Sequence, residues 1–360
     1  MGKTLLTGAT GFIGHHIARE LVARGDDLRV TLRATSDPRM IEALDVEAVR
    51  CDVLDRRAVR RALKGVDRVF HAAGVTSVRP DDADRAFTTN VEGARMVLSE
   101  SLRAGVERVV LTSSAAALGP APFGGVADET QTFTGVGLEI PYVSSVHEAE
   151  AEAFRLAAAG LPLVCVNPTV AFGPEDSHVT STRLVRSFLL GKVPAYVDGA
   201  LNVVDVRDVA HGHLLADERG VVGERYILGG RNFTFDRLFA DLGRLSGVEP
   251  PVKVPRRLAA VAAALQIGPG TLKPHEVEAA SQYWTYRSTK AKRDLGWKAR
   301  GHEETLEATV NWYLEREHDR LVRVRAPQRT QYRLARTALS LGEDAVSVAA
   351  RIARGIAAGR

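Results

Sequence analysis

The chain has 360 residues, 45% of them apolar and 26% charged, and a formal net charge of +4 at pH 7. This is an ordinary globular composition with ample material for a core, enough for one large α/β unit or two smaller ones, and no apolar run approaches the roughly 20 residues that a membrane-spanning helix needs. The basic excess sits at the C-terminus, where residues 319–360 carry nine Arg against three acids while the rest has 39 basic and 41 acidic residues, so the high pI does not argue for nucleic-acid binding by the body. Cys51 and Cys165 fall in expected buried strands, so free thiols in a reducing, cytoplasmic setting are expected. The first strand is expected to begin at Lys3, so no signal peptide is expected.

An apolar run over 4–7 leads into Thr7-Gly8-Ala9-Thr10-Gly11-Phe12-Ile13-Gly14, and a helical pattern over 12–23 leads out. Strand, glycine turn and helix form the setting in which such a motif means dinucleotide binding. Gly8 permits the tight turn. Gly11 leaves the backbone bare, so a pyrophosphate can reach the N–H groups at the helix start. Gly14 lets the helix lie close to its strand. Gly8, Thr10, Gly11, Phe12, Ile13 and Gly14 are therefore the expected contacts of this turn.

Further strands are expected at 28–33, 46–51, 68–72, 108–113 and 163–167, with helices at 56–63, 83–104 and 142–158. Alternation of this kind predicts a doubly wound parallel sheet, a Rossmann fold, with right-handed crossovers and the cofactor across the carboxyl ends of the strands. After Pro168 the pattern is less regular. Helices are expected at 182–191, 206–217, 235–245, 255–264, 274–286 and 303–317, with a short strand at 226–228. The expected division is a dinucleotide-binding part over 1–168, a smaller substrate-binding part over 169–317 that interleaves with it, and a basic tail over 318–360.

The second strand ends at Arg33, 19 residues beyond Gly14. A carboxylate at this place would bond the 2′-hydroxyl of NAD; a cation accommodates the 2′-phosphate of NADP. NADP is therefore preferred over NAD, with Arg39 a second candidate phosphate contact and a solvated Arg33 the alternative. After strand three, Asp52 and Val53 are placed to meet adenine, although Asp52 is equally suited to cap the helix that starts at Arg56. After strand four, Ala72 and Ala73 keep the dinucleotide path free of bulk, and His71 reads as a packed histidine. The histidines lack ligand spacing with Cys or acids, so no metal is expected.

Together with the glycine turn, Thr112-Ser113-Ser114 and Tyr142-Val143-Ser144-Ser145-Val146 resemble the extended short-chain dehydrogenase/reductase family, also called the NAD-dependent epimerase/dehydratase family. The resemblance continues through Asn167-Pro168-Thr169, Gly173-Pro174, 205–210 and 288–297, and covers residues 1 to about 317. Pro194–Asp198 and Gly223–Gly230 look most like hopanoid-associated sugar epimerases, with dihydroflavonol-reductase-like proteins also near. The resemblance implies that Ser114 bonds the substrate oxygen, that Tyr142 passes it a proton and touches the cofactor, and that Pro168 is a further cofactor contact. It also implies a Lys one helical turn after the Tyr, whose cation lowers the phenol pKa from about 10 and bonds the nicotinamide ribose.

That position is Val146. Valine can do neither task, and loss of assisted proton transfer costs on the order of 10²–10⁴-fold in rate. His147 lies about 140° around the helix from Tyr142 and should face elsewhere; Lys192 is an unsupported surrogate. The expected function is an NADP-preferring oxidoreductase or epimerase acting on a sugar or a secondary alcohol or ketone. Its rival is a non-catalytic dinucleotide sensor or scaffold.

Thr76 and Ser77 are expected beside the substrate, and Tyr196 and Asn202 are weaker candidates from the second half. The resemblance also implies a homodimer through the helices at 83–104 and 142–158. In the tail, Ala345, Val348, Ala349, Ile352 and Ile356 lie at helical spacing, with acids before and Arg after, suiting the helix dipole. One reading is a helix lying on an anionic membrane surface; the others are a helix docked on the body or a second subunit, or a mobile tail.

Overall fold

A computed structural model describes residues 2–264 and 273–325. The amphipathic tail pattern lies outside the described residues. Six strands and five helices build the first half: β1 (Lys3–Thr7), α1 (Phe12–Arg24), β2 (Asp27–Leu32), β3 (Glu47–Arg50), α2 (Arg56–Ala62), β4 (Arg68–His71), α3 (Ala83–Phe87), α4 (Ala94–Ala104), β5 (Arg108–Thr112), α5 (Pro141–Ala158) and β6 (Leu163–Pro168). A seventh strand, Arg225–Leu228, joins β6 from the second half. The spatial order is that strand, then β6, β5, β4, β1, β2 and β3, all parallel. The order reverses between β1 and β4, which opens a crevice at their carboxyl ends.

Strand alternation sends successive side chains to opposite faces. Leu6, Val110, Val164 and Val166 face α1 and the helix Val206–Arg219. Leu5, Val109, Leu111, Leu163 and Cys165 face the other side, against Val97, Leu98, Ala149 and Ala153 of α4 and α5. Both faces are covered, which accounts for the nearly continuous apolar strands. Cys51 and Cys165 are buried free thiols.

A separate core holds the second half together. The strands Arg231–Thr234, Ala200–Asp205 and Tyr283–Trp284 pair in that order, with Val170–Phe172 also on Ala200–Asp205. Phe172, Phe188, Phe233, Phe239 and Tyr313 pack around them.

Three expectations need correction. The helix expected at 274–286 stops at Ala280. Tyr283 and Trp284 are strand formers that pair with Ala200 and Leu201 instead, and the Trp284 indole N–H donates to the Ala279 carbonyl at 2.9 Å, closing the helix end. The single helix expected at 83–104 contains a wider π-type turn over Thr88–Gly93. The strand Ala200–Asp205 was absent from the expected elements, because its apolar run merges with the helical pattern that follows.

At the opposite, amino-terminal ends of the strands lies an ion cluster. The Asp217 carboxylate, 1% exposed, accepts from Arg24 at 3.0 Å and Arg68 at 3.2 Å. Arg108 donates to the Ala216 carbonyl at 2.9 Å and the Gly220 carbonyl at 2.5 Å, capping the end of the same helix. Among the described residues no helix is long and apolar enough to cross a membrane.

Candidate dinucleotide and carbonyl site

The glycine turn stands at the β1/β4 crevice. Gly8 has φ +77°, and a Cβ on it would sit 2.6 Å from the Ala72 carbonyl carbon, so both its backbone angle and the neighbouring chain require glycine. A Cβ on Gly14 would lie 2.0 Å from the Gly8 carbonyl oxygen, so the bare α1 backbone rests directly on the turn. Gly11 is different: the nearest atom to an added Cβ is the Gly8 oxygen at 3.2 Å, and the space in front is otherwise open. Gly11 is also the N-cap of α1 and supplies no side-chain acceptor. The first N–H groups of a 13-residue helix therefore face an open cradle, which fits a pyrophosphate. Phe12 is buried and Ile13 packs against the same core, so both face the cradle through their backbone. Thr10 is half-buried at the turn.

Ala72 and Ala73 are half-buried beside the turn, with their N–H groups donating to the Thr7 carbonyl at 3.2 Å and the Thr7 hydroxyl at 3.3 Å. His71 shares a 2.7 Å hydrogen bond with the same hydroxyl, and burial pushes its pKa down to about 4. It is a neutral packed histidine, as its setting in the sequence suggests.

At the end of β2, the Arg33 N–H donates to Ser36 at 3.0 Å and its carbonyl accepts from Arg50 at 2.9 Å. Among the described residues no carboxylate pairs with the Arg33 guanidinium, which is exposed. Arg39 differs from expectation, because Asp37 holds its guanidinium at 2.5–3.0 Å. Asp52 accepts from the Leu54 N–H at 3.0 Å and does not cap the next helix; Asp55 does, through the Arg57 and Ala58 N–H groups. Val53 is 5% exposed, so most of its side chain is committed to the core rather than free to cover a base.

Ser114 and Tyr142 come together. Ser114 follows β5 and caps the short turn Ala115–Leu118, its hydroxyl accepting from the Ala116 N–H at 3.1 Å. Tyr142 is the second residue of α5, behind Pro141 at the first helical position. Burial raises the Tyr142 phenol above its usual value near 10, and a hydrogen bond with Ser114 lowers it. No cation is among these causes. Val146, one turn along α5, is 8% exposed. His147 turns away, bonding the Ala117 carbonyl at 2.9 Å and stacking on Phe133 at 3.8 Å. Lys192 is exposed on the surface of the second half.

Sequence reasoning missed the groups that hold this pair. Asn90, in the π-type turn, accepts from the Val75 N–H at 2.7 Å and donates to the Val75 carbonyl at 3.0 Å and the Ser145 hydroxyl at 2.9 Å. Glu150 is 3% exposed and gathers Ser113, Asn167 at 2.5 Å and Arg225 at 2.9 Å. Asn167 in turn donates to the Ser114 carbonyl at 3.0 Å. A buried acid two helical turns after Tyr142 was the available signal. Tyr286 donates to the Gly119 carbonyl at 2.8 Å, and its phenol is raised by burial and by nearby Tyr142. Pro168 is buried at the end of β6, paired with Leu228.

Other candidates fall elsewhere. Asn202 is fully buried, bonding Thr169, Asn232 and the Tyr286 carbonyl, so it ties segments together and does not line an open cleft. Tyr196 packs on Phe239 and donates to Asp236 at 3.0 Å. Thr76 is exposed, and Ser77 donates to Asp82 at 2.5 Å. A cleft of about 660 Å³ at the sheet edge is lined by Phe154, Arg225 and Lys290 among others, none of them from the glycine turn or the Ser114–Tyr142 pair. Among the described residues no cluster of three or more His, Cys, Asp or Glu could hold a metal.

Comparison with known proteins matches residues 4–229 to the family described as "NAD dependent epimerase/dehydratase family". The chain belongs to the NAD-dependent epimerase/dehydratase family. It is similar to sterol demethylase protein B of Methylococcus capsulatus, with 34% identity over 87% of this chain and 98% of that one. It is equally similar to a putative dihydroflavonol 4-reductase of Synechocystis, with 34% identity over 86% and 93%. Among solved structures, a nucleoside-diphosphate-sugar epimerase from Pseudomonas aeruginosa is 27% identical, with a TM-score of 0.76 over 88% of this chain and 98% of that one. The relatives named include a reductase and a nucleoside-diphosphate-sugar epimerase, which supports reading this chain as an enzyme of the same family.

Proposed function

We propose that this enzyme is an NADP-preferring oxidoreductase that works in the direction of carbonyl reduction on a ketone, with Ser114 bonding the carbonyl oxygen and Tyr142 giving it a proton. The observation that carries this reading is the Ser114–Tyr142 pair, whose phenol feels burial and a serine but no cation. The glycine cradle would hold the pyrophosphate on the α1 N–H groups, and Arg33 would meet the 2′-phosphate. When bound, the reduced nicotinamide supplies a hydride to the carbonyl carbon.

The protein's own part is positional and acid–base. Ser114 fixes the carbonyl oxygen, and Tyr142 transfers its phenolic proton to that oxygen as negative charge builds there. Glu150, through Asn167, keeps the Ser114 backbone in place. A phenol with a pKa above 10 is less than about one part in a thousand phenolate at pH 7. It is well supplied as an acid and poorly supplied as a base. Epimerisation through a keto intermediate begins with removal of a proton from an alcohol, so the same pair favours reduction.

The test is consumption of NADPH with ketones, followed by nicotinamide absorbance across pH. Activity should be level through neutral pH and fall only above about pH 10, as the acid form of Tyr142 is lost. Val146→Lys should move that fall to lower pH and raise turnover, because an ammonium one turn away stabilises the phenolate. If NADPH binds and neither the natural chain nor V146K reduces any carbonyl, the non-catalytic dinucleotide-binding reading replaces this one. Cofactor choice has its own test. Arg33→Ser should weaken NADPH by roughly tenfold or more, the value of a charge-assisted contact, and leave NADH unchanged.

A further inference from the structure

Tyr142, Val146, Glu150 and Phe154 stand at intervals of four along α5. Side chains at this spacing lie on neighbouring turns, and eight residues of helix span about 12 Å. At one end of the series Tyr142 meets Ser114. At the other, Glu150 and Phe154 meet the second half of the chain. Arg225, the first residue of the seventh strand, touches both. Its Nη1 donates to Glu150 Oε1 at 2.9 Å, and its guanidinium lies 5.0 Å from the centre of the Phe154 ring.

The other oxygen of Glu150 receives three donors. The Ser113 hydroxyl donates to Oε2, as do the Asn167 amide at 2.5 Å and the Cys165 thiol at 3.4 Å. A carboxylate that accepts at both oxygens and donates at neither is the ionised form. Glu150 is almost fully buried, and a charge taken so far from water needs an opposite charge in contact. Among the described residues, Arg225 is the one cation in ion-pair contact with it.

Asn167 carries the connection onward. The amide that donates to Glu150 also donates to the Ser114 carbonyl at 3.0 Å. Asn167 sits on β6, and the seventh strand pairs there with Arg225 opposite Cys165 and Ile227 opposite Asn167. Arg225 is thus linked to Ser114 through Glu150 and Asn167. Its side chain is 29% exposed and opens onto the sheet-edge cleft, away from the reacting pair.

We infer that Arg225 is a positioning residue for carbonyl reduction: its charge holds the Glu150 carboxylate, Glu150 orients the Asn167 amide, and that amide fixes Ser114 beside Tyr142. This rests on the carbonyl-reduction reading of Ser114 and Tyr142. Arg225 comes from the second half, so the alignment of the pair depends on that half being docked against β6.

The experiment uses the full chain with NADPH and cyclohexanone. Arg225→Met removes the charge and keeps much of the side-chain length; Arg225→Lys keeps the charge. R225M should lower kcat by roughly 10- to 100-fold, the cost of a misplaced reacting group, with KM and NADPH affinity little changed. R225K should recover most of that loss. Glu150→Gln should reproduce the loss, and R225M should cost little more in that background. A second readout needs no turnover. With an NMR-active isotope at tyrosine Cζ, the Tyr142 signal, assigned with Tyr142→Phe, reports the hydrogen bond to Ser114. It should move in R225M and return in R225K. Natural kcat and an unmoved Tyr142 signal in R225M overturn the inference, even where urea unfolding shows lost stability. So does an equal loss in the natural and E150Q backgrounds, which takes the effect away from Glu150. If R225M does not fold, Arg225→Gln is judged by the same two readouts. If the natural chain reduces no ketone, the carbonyl-reduction reading fails and the Tyr142 signal decides alone: movement in R225M with return in R225K supports Arg225, and an unmoved signal overturns it.

Discussion

Replacing Tyr142 with Phe is expected to reduce kcat/KM for ketone reduction by about 10²–10⁴-fold while leaving NADPH affinity within a few-fold of its natural value. The ring keeps its place on α5, so packing is preserved and only the hydroxyl is lost. The carbonyl oxygen then has Ser114 as hydrogen-bond partner and no internal acid, and water must protonate it. The loss should appear mainly in kcat, because the proton moves only as the transition state forms. Fluorescence titration with NADPH separates this from damage to the cradle. Ser114→Ala should cost less if Tyr142 continues to bond the oxygen. A Tyr142→Phe chain with natural turnover would remove Tyr142 from the chemistry altogether.

Asp217→Ala is expected to destabilise the fold by about 3–5 kcal/mol, since it strips a buried acceptor from several arginines at once. Asp217 is 1% exposed and bonds both Arg24 and Arg68. Arg24 is only 16% exposed and keeps Asp26 as a partner at 2.7 Å. Arg108 lies close enough for Asp217 to favour its charge against the burial that lowers its pKa. Without the carboxylate, three guanidinium groups crowd the amino-terminal ends of the strands. Urea unfolding gives the magnitude. NADPH affinity of the folded variant should be unchanged, because the cradle lies at the other end of the sheet. A loss below about 1 kcal/mol would mean that water and Arg24 relaxation replace the interaction almost fully.

The parts of the molecule visible in the amino-acid order are those governed by local rules. The glycine turn declares itself because Gly8 and Gly14 answer to contacts only a few residues away or on the adjoining strand. Six strands and four helices of the first half follow from periodicity, with boundaries within a few residues. The elements that escaped depend on distant partners. Tyr283–Trp284 is a strand because Ala200–Leu201 is beside it, and no window around 283 contains that information. Asn90 reads as an ordinary helical residue until the π-type turn swings it toward Val75 and Ser145. Arg39 resembled a phosphate ligand because its own neighbour, Asp37, was not weighed against it. Val146 shows the opposite case. A missing cation can be read from one letter, while the effect on Tyr142 depends on what else surrounds the phenol.

The seventh strand, Arg225–Leu228, carries a consequence for how such enzymes can diversify. It lies on β6 and places Tyr226 and Leu228 in the same core as Ile17 and Leu21 of α1, together with Val206, Val209 and Trp297. A fragment ending at residue 168 would keep α1 on that face but expose the part covered by Val206, Val209, Tyr226, Leu228 and Trp297, and is expected to fold less stably as a nucleotide-binding module. Wholesale exchange of carboxy-terminal halves between relatives would therefore disrupt both partners. New specificities on this scaffold are expected to arise by editing of the crossover loops, with the two halves inherited together.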